Sequence, residues 1–401
     1  MIPLSALAEL GGLFIDGDWV ESKDQDPHGE VRLIQLADVG DGNWLDKSKR
    51  FLTMEKAKHL GCTFLQPGDL LIARMPDPIG RACIFPGSNQ PCVTVVDICI
   101  LRTRNGIDAN WLKHQINASK FRASIKRFTN GTTRARIARS NLGGLPISVP
   151  SLQEQKRIAA ILDKADAIRR KREQAIQLAD EFLRSLFLDM FGDPVRNPKG
   201  WPVLTFRQVL FEIEAGSSVN GEQRTINPGE KAVLKISAVT RGSFDPLEIK
   251  VVASADVPSK PITPNNGDLL FSRANTRELV AATCIVDGDH PNIFLPDKLW
   301  RLSVNKHLVT PEYLHFMLSH DRYRKRLTKV ATGTSGSMLN ISQAKLLSHL
   351  LPVPLMTLQK CFSEIVVSRA VLNRRVRSMH AEGKFLLSAL SHEAFRSTLI
   401  L

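Results

Sequence analysis

The chain has few of the residues that would hold a disulfide scaffold, a metal, a nucleotide or a membrane span. It has six cysteines in 401 residues and no Cys-x-x-Cys pair, which argues against disulfides and structural zinc. We expect these cysteines to be small core residues. The sequence contains neither a Gly-x-x-x-x-Gly-Lys-Ser/Thr loop nor a Gly-x-Gly-x-x-Gly motif, so the common nucleotide sites are absent. The longest nearly apolar run, residues 93–101, is far shorter than the ~18 residues of a membrane span.

Acidic residues and aromatic residues are also scarce. Lys and Arg number 54 against 40 Asp and Glu, which gives a net charge of +14 and an isoelectric point near 9.7. This excess is typical of proteins that bind nucleic acid or another acidic partner. Aromatics make up 6% of the chain, with only two Tyr, which disfavours stacking surfaces for single strands and favours duplex DNA. The N-terminus has no basic leader, so we expect a soluble protein of the cytoplasm.

The strongest pattern is an internal repeat. Residues 67–74 recur as 266–273 at a shift of 199, and residues 149–156 align with 353–360 at a shift of 204. A shift that changes so little over half the chain predicts two copies of one unit. Each copy starts with a short helix, at about residues 3–10 and 206–213, and continues with short β-branched runs.

Helical stretches follow these runs in both copies, at residues 110–128 and 311–330. We therefore predict the α+β class, with two pseudo-symmetric domains that each contain a mixed β core with helices.

A long helix is predicted after each domain. Residues 151–191 contain no Gly or Pro, and Ser151 with Glu154 predicts a capping box at the start. Apolar residues alternate at spacings of three and four, as in a heptad seam, and the seam recurs at a shift of 204. Its members are Ile158, Ile161, Ile168, Phe182 and Leu186 in the first helix, and Phe362, Ile365, Leu372, Leu386 and Leu390 in the second.

Each long helix either covers its own domain or pairs with the other. The repeated seam favours pairing, and the pseudo-two-fold relation between the copies favours an antiparallel coiled coil. The predicted bounds are 1–148 for the first domain and 149–192 for the first long helix. The second domain is then 193–352, and the second long helix with the C-terminal tail is 353–401.

Basic residues cluster at equivalent places in the two copies. A basic helix leads into a loop of Gly, Thr and Ser, whose small side chains let backbone N–H groups approach phosphate oxygens. Arginines after the first loop suit guanine edges in the major groove. The candidate DNA-binding residues are Arg74, Lys126, Arg127, Thr132, Thr133, Arg134, Arg136 and Arg139 in the first copy, and Arg273, Arg277, Arg324, Lys325, Arg326, Thr334, Ser335 and Ser337 in the second.

Two of these assignments have open alternatives. Arg74 and Arg273 end predicted buried strands, so pairing with a carboxylate is as consistent with their positions as contact with DNA. The basic runs 169–172 and 374–377 within the long helices suit a solvated face as well as they suit contact with a docked partner or with DNA.

As a set, these features resemble the specificity subunits of Type I restriction-modification enzymes. The resemblance covers nearly the whole chain and rests on residues 150–158, which are similar to the family's Pro-then-Glu-Gln-x-x-Ile helix start. The Gly-Asp-Leu-Leu strands and the Gly-Thr loops, each present twice, add to it. The second copy lacks the Glu, because Leu358 precedes Gln359. The resemblance implies that each domain is a target recognition domain for half of a bipartite duplex DNA sequence, with the helices setting the spacer.

The resemblance also implies the partners and cofactors of the chain. Two adenine methyltransferase subunits would dock on the helices, and motor-nuclease subunits would complete a restriction enzyme. S-adenosylmethionine, ATP and Mg²⁺ would bind those subunits, while this chain would be non-catalytic, with no cofactor or metal. The alternatives are a stand-alone regulator or scaffold that binds a two-part DNA site, and a self-contained nuclease or methyltransferase, for which the sequence lacks a motif.

Overall fold

A computed structural model describes residues 1–370, except residues 10, 104, 132–134 and 334–337. The described chain divides into two compact units, of which unit 1 runs from Met1 to Glu173 and unit 2 begins at Gln174. Among the described residues, no helix is long and apolar enough to cross a membrane.

Unit 1 consists of short strands followed by helices. Its strands are β1 (Ile2–Pro3), β2 (Leu13–Asp16), β3 (Val31–Ile34), β4 (Phe51–Leu52), β5 (Leu70–Ala73), β6 (Ala82–Ile84), β7 (Cys92–Thr94), β8 (Ile98–Arg102), β9 (Thr129–Asn130), β10 (Arg136–Ile137) and β11 (Pro146–Ile147). Its helices are α1 (Met54–His59), α2 (Ala109–Asn117), α3 (Ser119–Arg127), α4 (Arg139–Gly143) and the start of α5 (Leu152–Phe191), with 3₁₀ turns at Leu4–Ala8 and Ser22–Asp24.

The strands of unit 1 form four small sheets. The largest is antiparallel with the order β2-β8-β5-β6, and a mixed sheet has the order β4-β3-β7. Two-stranded ribbons join β1 to β11 and β9 to β10. The main core lies between the four-stranded sheet, α2, α3 and the first turns of α5, where Ile158 and Leu162 are buried.

Unit 2 repeats this arrangement. Its strands are β12 (Val203–Thr205), β13 (Leu210–Ala215), β14 (Lys231–Leu234), β15 (Ile249–Val252), β16 (Leu269–Ser272), β17 (Ala274–Asn275), β18 (Thr283–Ile285), β19 (Ile293–Phe294), β20 (Leu299–Val304), β21 (Leu339–Asn340) and β22 (Leu350–Pro352). Its helices are α6 (Phe206–Val209), α7 (Pro311–Ser319), α8 (Asp321–Thr328), α9 (Gln343–Leu347) and α10 (residues 356–370), with 3₁₀ turns at Ile236–Val239 and Ser254–Asp256.

The sheets of unit 2 correspond to those of unit 1. A four-stranded antiparallel sheet has the order β13-β20-β16-β18, a mixed sheet has the order β15-β14-β19, and ribbons join β12 to β22 and β17 to β21. The predicted α+β class with two pseudo-symmetric domains is therefore confirmed. The predicted helix 206–213 is wrong in extent, since α6 ends at Val209 and β13 continues the chain against β20.

The repeated Gly-Asp-Leu-Leu motif is a turn that leads into a buried central strand. Gly68 and Gly267 have φ values of 94° and 86°, which favour glycine. The carboxylate of Asp69 accepts the backbone N–H of Gln66 at 2.8 Å, and Asp268 accepts that of Asn265 at 2.9 Å. The motif is repeated because this closed turn is needed before both β5 and β16.

The long helix α5 covers the predicted stretch. The Ser151 hydroxyl accepts the backbone N–H of Glu154 at 3.3 Å, but the Glu154 carboxylate binds Arg157 at 2.7 and 2.8 Å. The Ser151 half of the predicted capping box is therefore present, while Glu154 pairs along the helix surface. Gly192, at a φ of 81°, ends the helix and donates to the carbonyl of Leu188.

The end of α5 and helix α10 run antiparallel within unit 2. The ring of Phe362 lies 5.7 Å from that of Phe187 and 5.4 Å from that of Phe191, and Asp180 forms an ion pair with Arg369. The later residue of α10, Arg369, contacts the earlier residue of α5, Asp180, while Phe362 contacts Phe187 and Phe191. The two helices therefore run in opposite directions. A coiled coil over the full length of both helices remains a prediction.

Candidate nucleic-acid interface

The Gly-Thr loops begin and end on two-stranded ribbons. In unit 1, Asn130 of β9 pairs with Arg136 of β10 on either side of the loop. In unit 2, Thr332 and Asn340 exchange backbone hydrogen bonds of 2.8 and 2.7 Å. The two loops therefore have equivalent places in the fold. The candidate residues that lie outside the described part of the chain are Thr132, Thr133, Arg134, Thr334, Ser335 and Ser337.

Two arginines of unit 1 share one carboxylate beside this ribbon. The Nε of Arg74 lies 3.2 Å from Asp16, and its Nη2 donates to the carbonyl of Val96 at 2.6 Å. Arg139 lies 3.4 Å from Asp16 and donates to the carbonyl of Phe14 at 3.0 Å. Arg74 is buried, whereas 44% of the Arg139 side chain is exposed. The geometry favours a structural role for Arg74 and leaves Arg139 accessible to DNA.

Arg136 and Arg273 differ in the same way. Arg136 lies 3.1 Å from Asp97, and 41% of its side chain is exposed. Arg273 donates to the carbonyl of Asp297 at 3.0 Å, and its guanidinium lies 5.8 Å from the centre of the Trp300 ring. Arg136 can therefore leave the Asp97 carboxylate to bind another anion or a base edge. Arg273, in contrast, is held by the Asp297 carbonyl and the Trp300 ring.

The equivalent helices α3 and α8 both carry exposed cations in their last turns, although at different positions along the helix. The side chains of Lys126 and Arg127 in unit 1, and of Lys325 and Arg326 in unit 2, make no hydrogen bond or ion pair with any described residue. Arg277 is also exposed. These side chains are therefore free to bind phosphates without breaking an existing contact among the described residues.

Arg324 supports a loop instead. It donates to the carbonyls of Val280, at 3.3 Å, and Glu278. Arg122 occupies the same place in unit 1, where it donates to two loop carbonyls at 3.4 Å and to Asp41 at 2.6 Å. Burial lowers the pKa of both guanidinium groups. The geometry favours a structural role for both arginines.

A basic loop at residues 45–50 is held by hydrogen bonds and was not predicted from the sequence. The buried carboxylate of Asp38 accepts three backbone N–H groups at 2.7 Å, including those of Lys47 and Ser48, and also accepts the Ser48 hydroxyl. Lys47 and Lys49 are exposed and unpaired among the described residues. The one sequence signal is a single Asp within the otherwise apolar stretch 36–39.

The predicted seam residues have different surroundings. Ile158 and Phe362 are buried in the cores of their units, and Leu186 is half-buried. The exposed fractions run from 36% to 59% for Ile161, Ile168, Phe182 and Ile365. Leu372, Leu386 and Leu390 lie outside the described residues.

Other residues of α5 are more deeply buried than most of the seam. They are Leu162, Leu183, Phe187 and Phe191, and all of them pack on the core of a unit. Packing against the domains, which a heptad count does not include, therefore decides which faces of α5 are covered.

The cysteines are mostly buried, and no metal site is found among the described residues. Five cysteines are buried, and burial raises the pKa of the Cys83 thiol to about 12. Cys361 is exposed, so its assignment to the core is wrong; it lies on the outer side of α10. No group of three or more His, Cys, Asp or Glu is placed to hold a metal within the described ranges.

Residues 7–178 match the family described as the Type I restriction modification DNA specificity domain. The specificity subunit of the Type I restriction enzyme EcoKI from Escherichia coli K12 is 27% identical over 252 residues. This alignment covers 59% of the chain and 53% of the EcoKI subunit. The chain is similar to the Type I restriction-modification specificity subunits.

A further specificity subunit is similar to this chain. The MjaIX specificity subunit of Methanocaldococcus jannaschii is 23% identical over 215 residues, covering 49% of this chain and 48% of that subunit. The chain thus spans about half the length of these curated proteins.

A solved S subunit of a Type I restriction-modification system from M. genitalium has the same fold. It matches with a TM-score of 0.56 and 13% identity, over 98% of this chain and 95% of that one. At this identity the likeness concerns the fold alone.

Proposed function

We propose that this specificity-subunit relative is the DNA-reading subunit of a Type I restriction-modification system. It reads a bipartite duplex target, with one unit for each half. The observation that carries the proposal is the repeat: a unit whose first copy matches the specificity-domain family occurs twice, with the same sheets and with exposed cations on the equivalent helices α3 and α8. The protein acts in the cytoplasm, where the host DNA lies.

The exposed cations and the paired arginines have different roles in this proposal. Lys126, Arg127, Lys325 and Arg326 bind phosphates, which sets the position of each unit without reading sequence. Arg136 and Arg139 read bases or phosphates after they release their carboxylates, at a cost that is offset by contacts to DNA.

The long helices supply the spacer and the docking surface. The antiparallel contact of α5 with α10 supports a paired-helix ruler. Leu178 and Phe182 on α5 are well exposed, as expected of a surface that a partner covers. We assign this surface to two adenine methyltransferase subunits, with motor-nuclease subunits joining them. S-adenosylmethionine, ATP and Mg²⁺ belong to those partners, and this chain is non-catalytic.

Binding-site selection tests the proposal. The tagged full-length chain is isolated from its host with the subunits that copurify, and is used to enrich duplexes from a random library. The expected result is a two-part sequence with a fixed spacer, and mass spectrometry is expected to identify a methyltransferase among the copurified proteins. Enrichment of a single short site, or of no site, would contradict the proposal.

Arg136→Ala tests the assignment of unit 1 to one half-site. We expect the half-site read by unit 1 to lose about 1–3 kcal/mol of discrimination while the other is unchanged. Asn340→Ala is the matched control, because Asn340 has the equivalent position in unit 2 and should affect only the other half-site. A uniform loss over all sequences would reassign Arg136 to phosphate contact.

A further inference from the structure

Gln155 and Gln359 are two buried amides that hold the same place in the two units. They are 1% and 0% exposed, and they lie one turn into α5 and α10. A buried primary amide has two N–H donors and an acceptor oxygen that must be satisfied. The partners of these two amides therefore show what each side chain holds together.

The two amides make the same three hydrogen bonds. In unit 1, Nε2 of Gln155 donates to the carbonyls of Pro150, at 2.9 Å, and Gly106, at 3.2 Å. Its Oε1 accepts the backbone N–H of Asp108 at 2.8 Å. The three bonds join the helix to two parts of the chain, since Pro150 precedes α5 and the loop at residues 106–108 precedes α2.

Unit 2 repeats this set bond for bond. Nε2 of Gln359 donates to the carbonyls of Pro354, at 2.8 Å, and Leu308, at 3.0 Å. Its Oε1 accepts the backbone N–H of Thr310 at 3.0 Å. The repeat has kept these bonds even though the preceding residue changed from Glu154 to Leu358.

The loop that each amide binds contains the N-cap residue of the next helix in the domain. Asp108 and Thr310 are the N-caps of α2 and α7, and their side chains accept the N–H groups of Trp111 and Tyr313. Each glutamine is thus bonded to the residue from which a domain helix begins. The long helix and that domain helix are fixed to each other through one side chain.

Apolar packing alone would hold the same elements less specifically. Ile158 and Phe362 pack on the cores, but dispersion contacts tolerate small rotations that hydrogen-bond geometry does not. We infer that Gln155 and Gln359 are positioning residues that fix the direction in which each long helix leaves its recognition domain, and so sharpen the choice of DNA spacer length. This inference rests on the proposed function, in which the helices measure the spacer.

The experiment is binding-site selection on a duplex library that varies both half-sites and spacer length. It uses the full-length chain with its copurifying subunits, as wild type, Gln155→Met, Gln359→Met and the double variant. Methionine fills a similar volume but satisfies none of the three polar groups. We expect both half-sites to be retained, while discrimination between the best spacer and one a base pair longer falls by about tenfold in the double variant.

A stability-matched control separates positioning from general weakening. Thr53→Ala removes the N-cap of α1, far from the amide in sequence, and should leave spacer discrimination unchanged. If Gln155→Met does not fold, Gln155→Asn keeps the amide and shortens its reach by one methylene group, with the same expected broadening.

The outcomes separate this inference from the proposed function. Lower thermal stability with an unchanged spacer profile in the glutamine variants would overturn the inference and leave the proposed function intact. A broadened spacer with unchanged half-sites supports both. A wild-type complex that enriches no two-part sequence overturns the proposed function and the inference with it.

Discussion

Helix α2 of unit 1 and helix α7 of unit 2 have the same place in the fold but are held to the long helices by different chemistry. In unit 1, Lys113 and His114 both contact the carboxylate of Asp163 on α5, at 2.8 and 2.7 Å. In unit 2, Phe316 of α7 stacks on Phe187 at 6.0 Å and meets Phe362 edge-on at 5.0 Å. An ion-paired contact in one copy is thus an aromatic cluster in the other.

Polar residues of unit 1 are also replaced by apolar residues of unit 2 at two buried positions next to the strands, one after β3 and one before β6. Buried Asp38 of unit 1 aligns with buried Ala238 of unit 2. Arg81, which donates to the carbonyls of Leu36 and Val39 at 3.0 and 2.8 Å, aligns with Ala282. The comparison teaches that the fold accepts either a polar or an apolar side chain at these buried positions. A polar side chain there must have all its hydrogen bonds satisfied.

Among the substitutions that test this comparison, Phe362→Ala is expected to lower the free energy of unfolding most. Phe362 is fully buried against several rings, so its removal should lower the free energy of unfolding of unit 2 by about 3–5 kcal/mol. Hydrogen–deuterium exchange should rise in α7 peptides and stay unchanged in α2 peptides. Phe211→Ala, at an 84% exposed position, is the control and should be nearly neutral. Equal exchange changes in both helices would show that the two units do not unfold separately.

Asp38→Ala gives unit 1 the alanine that unit 2 has at the equivalent position, Ala238. Three backbone N–H groups then lose their acceptor, and we expect a loss of about 1–3 kcal/mol in the free energy of unfolding of unit 1. Exchange at Lys47 and Ser48 should rise first. Asp256→Ala removes an exposed carboxylate from unit 2 and serves as the control. Unchanged exchange at residues 47 and 48 would show that the loop is held by other contacts.

Acidification should weaken unit 2 through His315, which aligns with Lys113 of unit 1. Burial, aided by Arg184, lowers the pKa of His315 to about 4 from 6.5. The unfolded state therefore takes up the proton first, and stability is lost as the pH falls from about 6.5 to about 4. We expect a loss of about 1–2 kcal/mol between pH 7 and pH 5.

His315→Gln tests the cause of this pH dependence. Glutamine retains a partner for the Thr283 hydroxyl, which lies 2.9 Å from Nδ1 of His315, but does not titrate. The variant should unfold with nearly the same free energy at pH 7 and pH 5 in exchange measured on α7 peptides. A variant that keeps the full pH dependence would assign it to other groups.

Asp163→Asn should give the smallest effect. The carboxylate is partly exposed, so the loss in the free energy of unfolding should be about 0.5–1 kcal/mol. Burial and Lys113 already lower the pKa of His114, and Asp163 opposes this, so the pKa should fall further in the variant. An NMR titration of His114 measures the change. Val367→Asn alters the equivalent exposed position of unit 2 and should be silent; an unchanged His114 pKa would contradict the ion pair.

The sequence predicted the helices best where the signals are local. The absence of Gly and Pro from residues 151–191, with Ser151 before them and Gly192 after them, is sufficient to predict α5. It failed at residues 110–128 and 311–330, which were each predicted as one helical stretch. The structure breaks them at Ala118 and His320, whose ψ values are 142° and 127°. Neither break has a Gly or Pro, so only the packing of two short helices onto each domain explains it.

The sequence by itself determined the repeat, the α+β class and the long helix, because these follow from periodicity, turn residues and caps that act over a few positions. Only the tertiary structure decided which arginines are held and which are available, and it revealed the glutamine bonds shared by both units. Arg74, Arg136 and Gln155 find their partners far along the chain, at Asp16, Asp97 and Asp108. Such pairs depend on which strands and loops the fold brings together, and no local pattern records that choice.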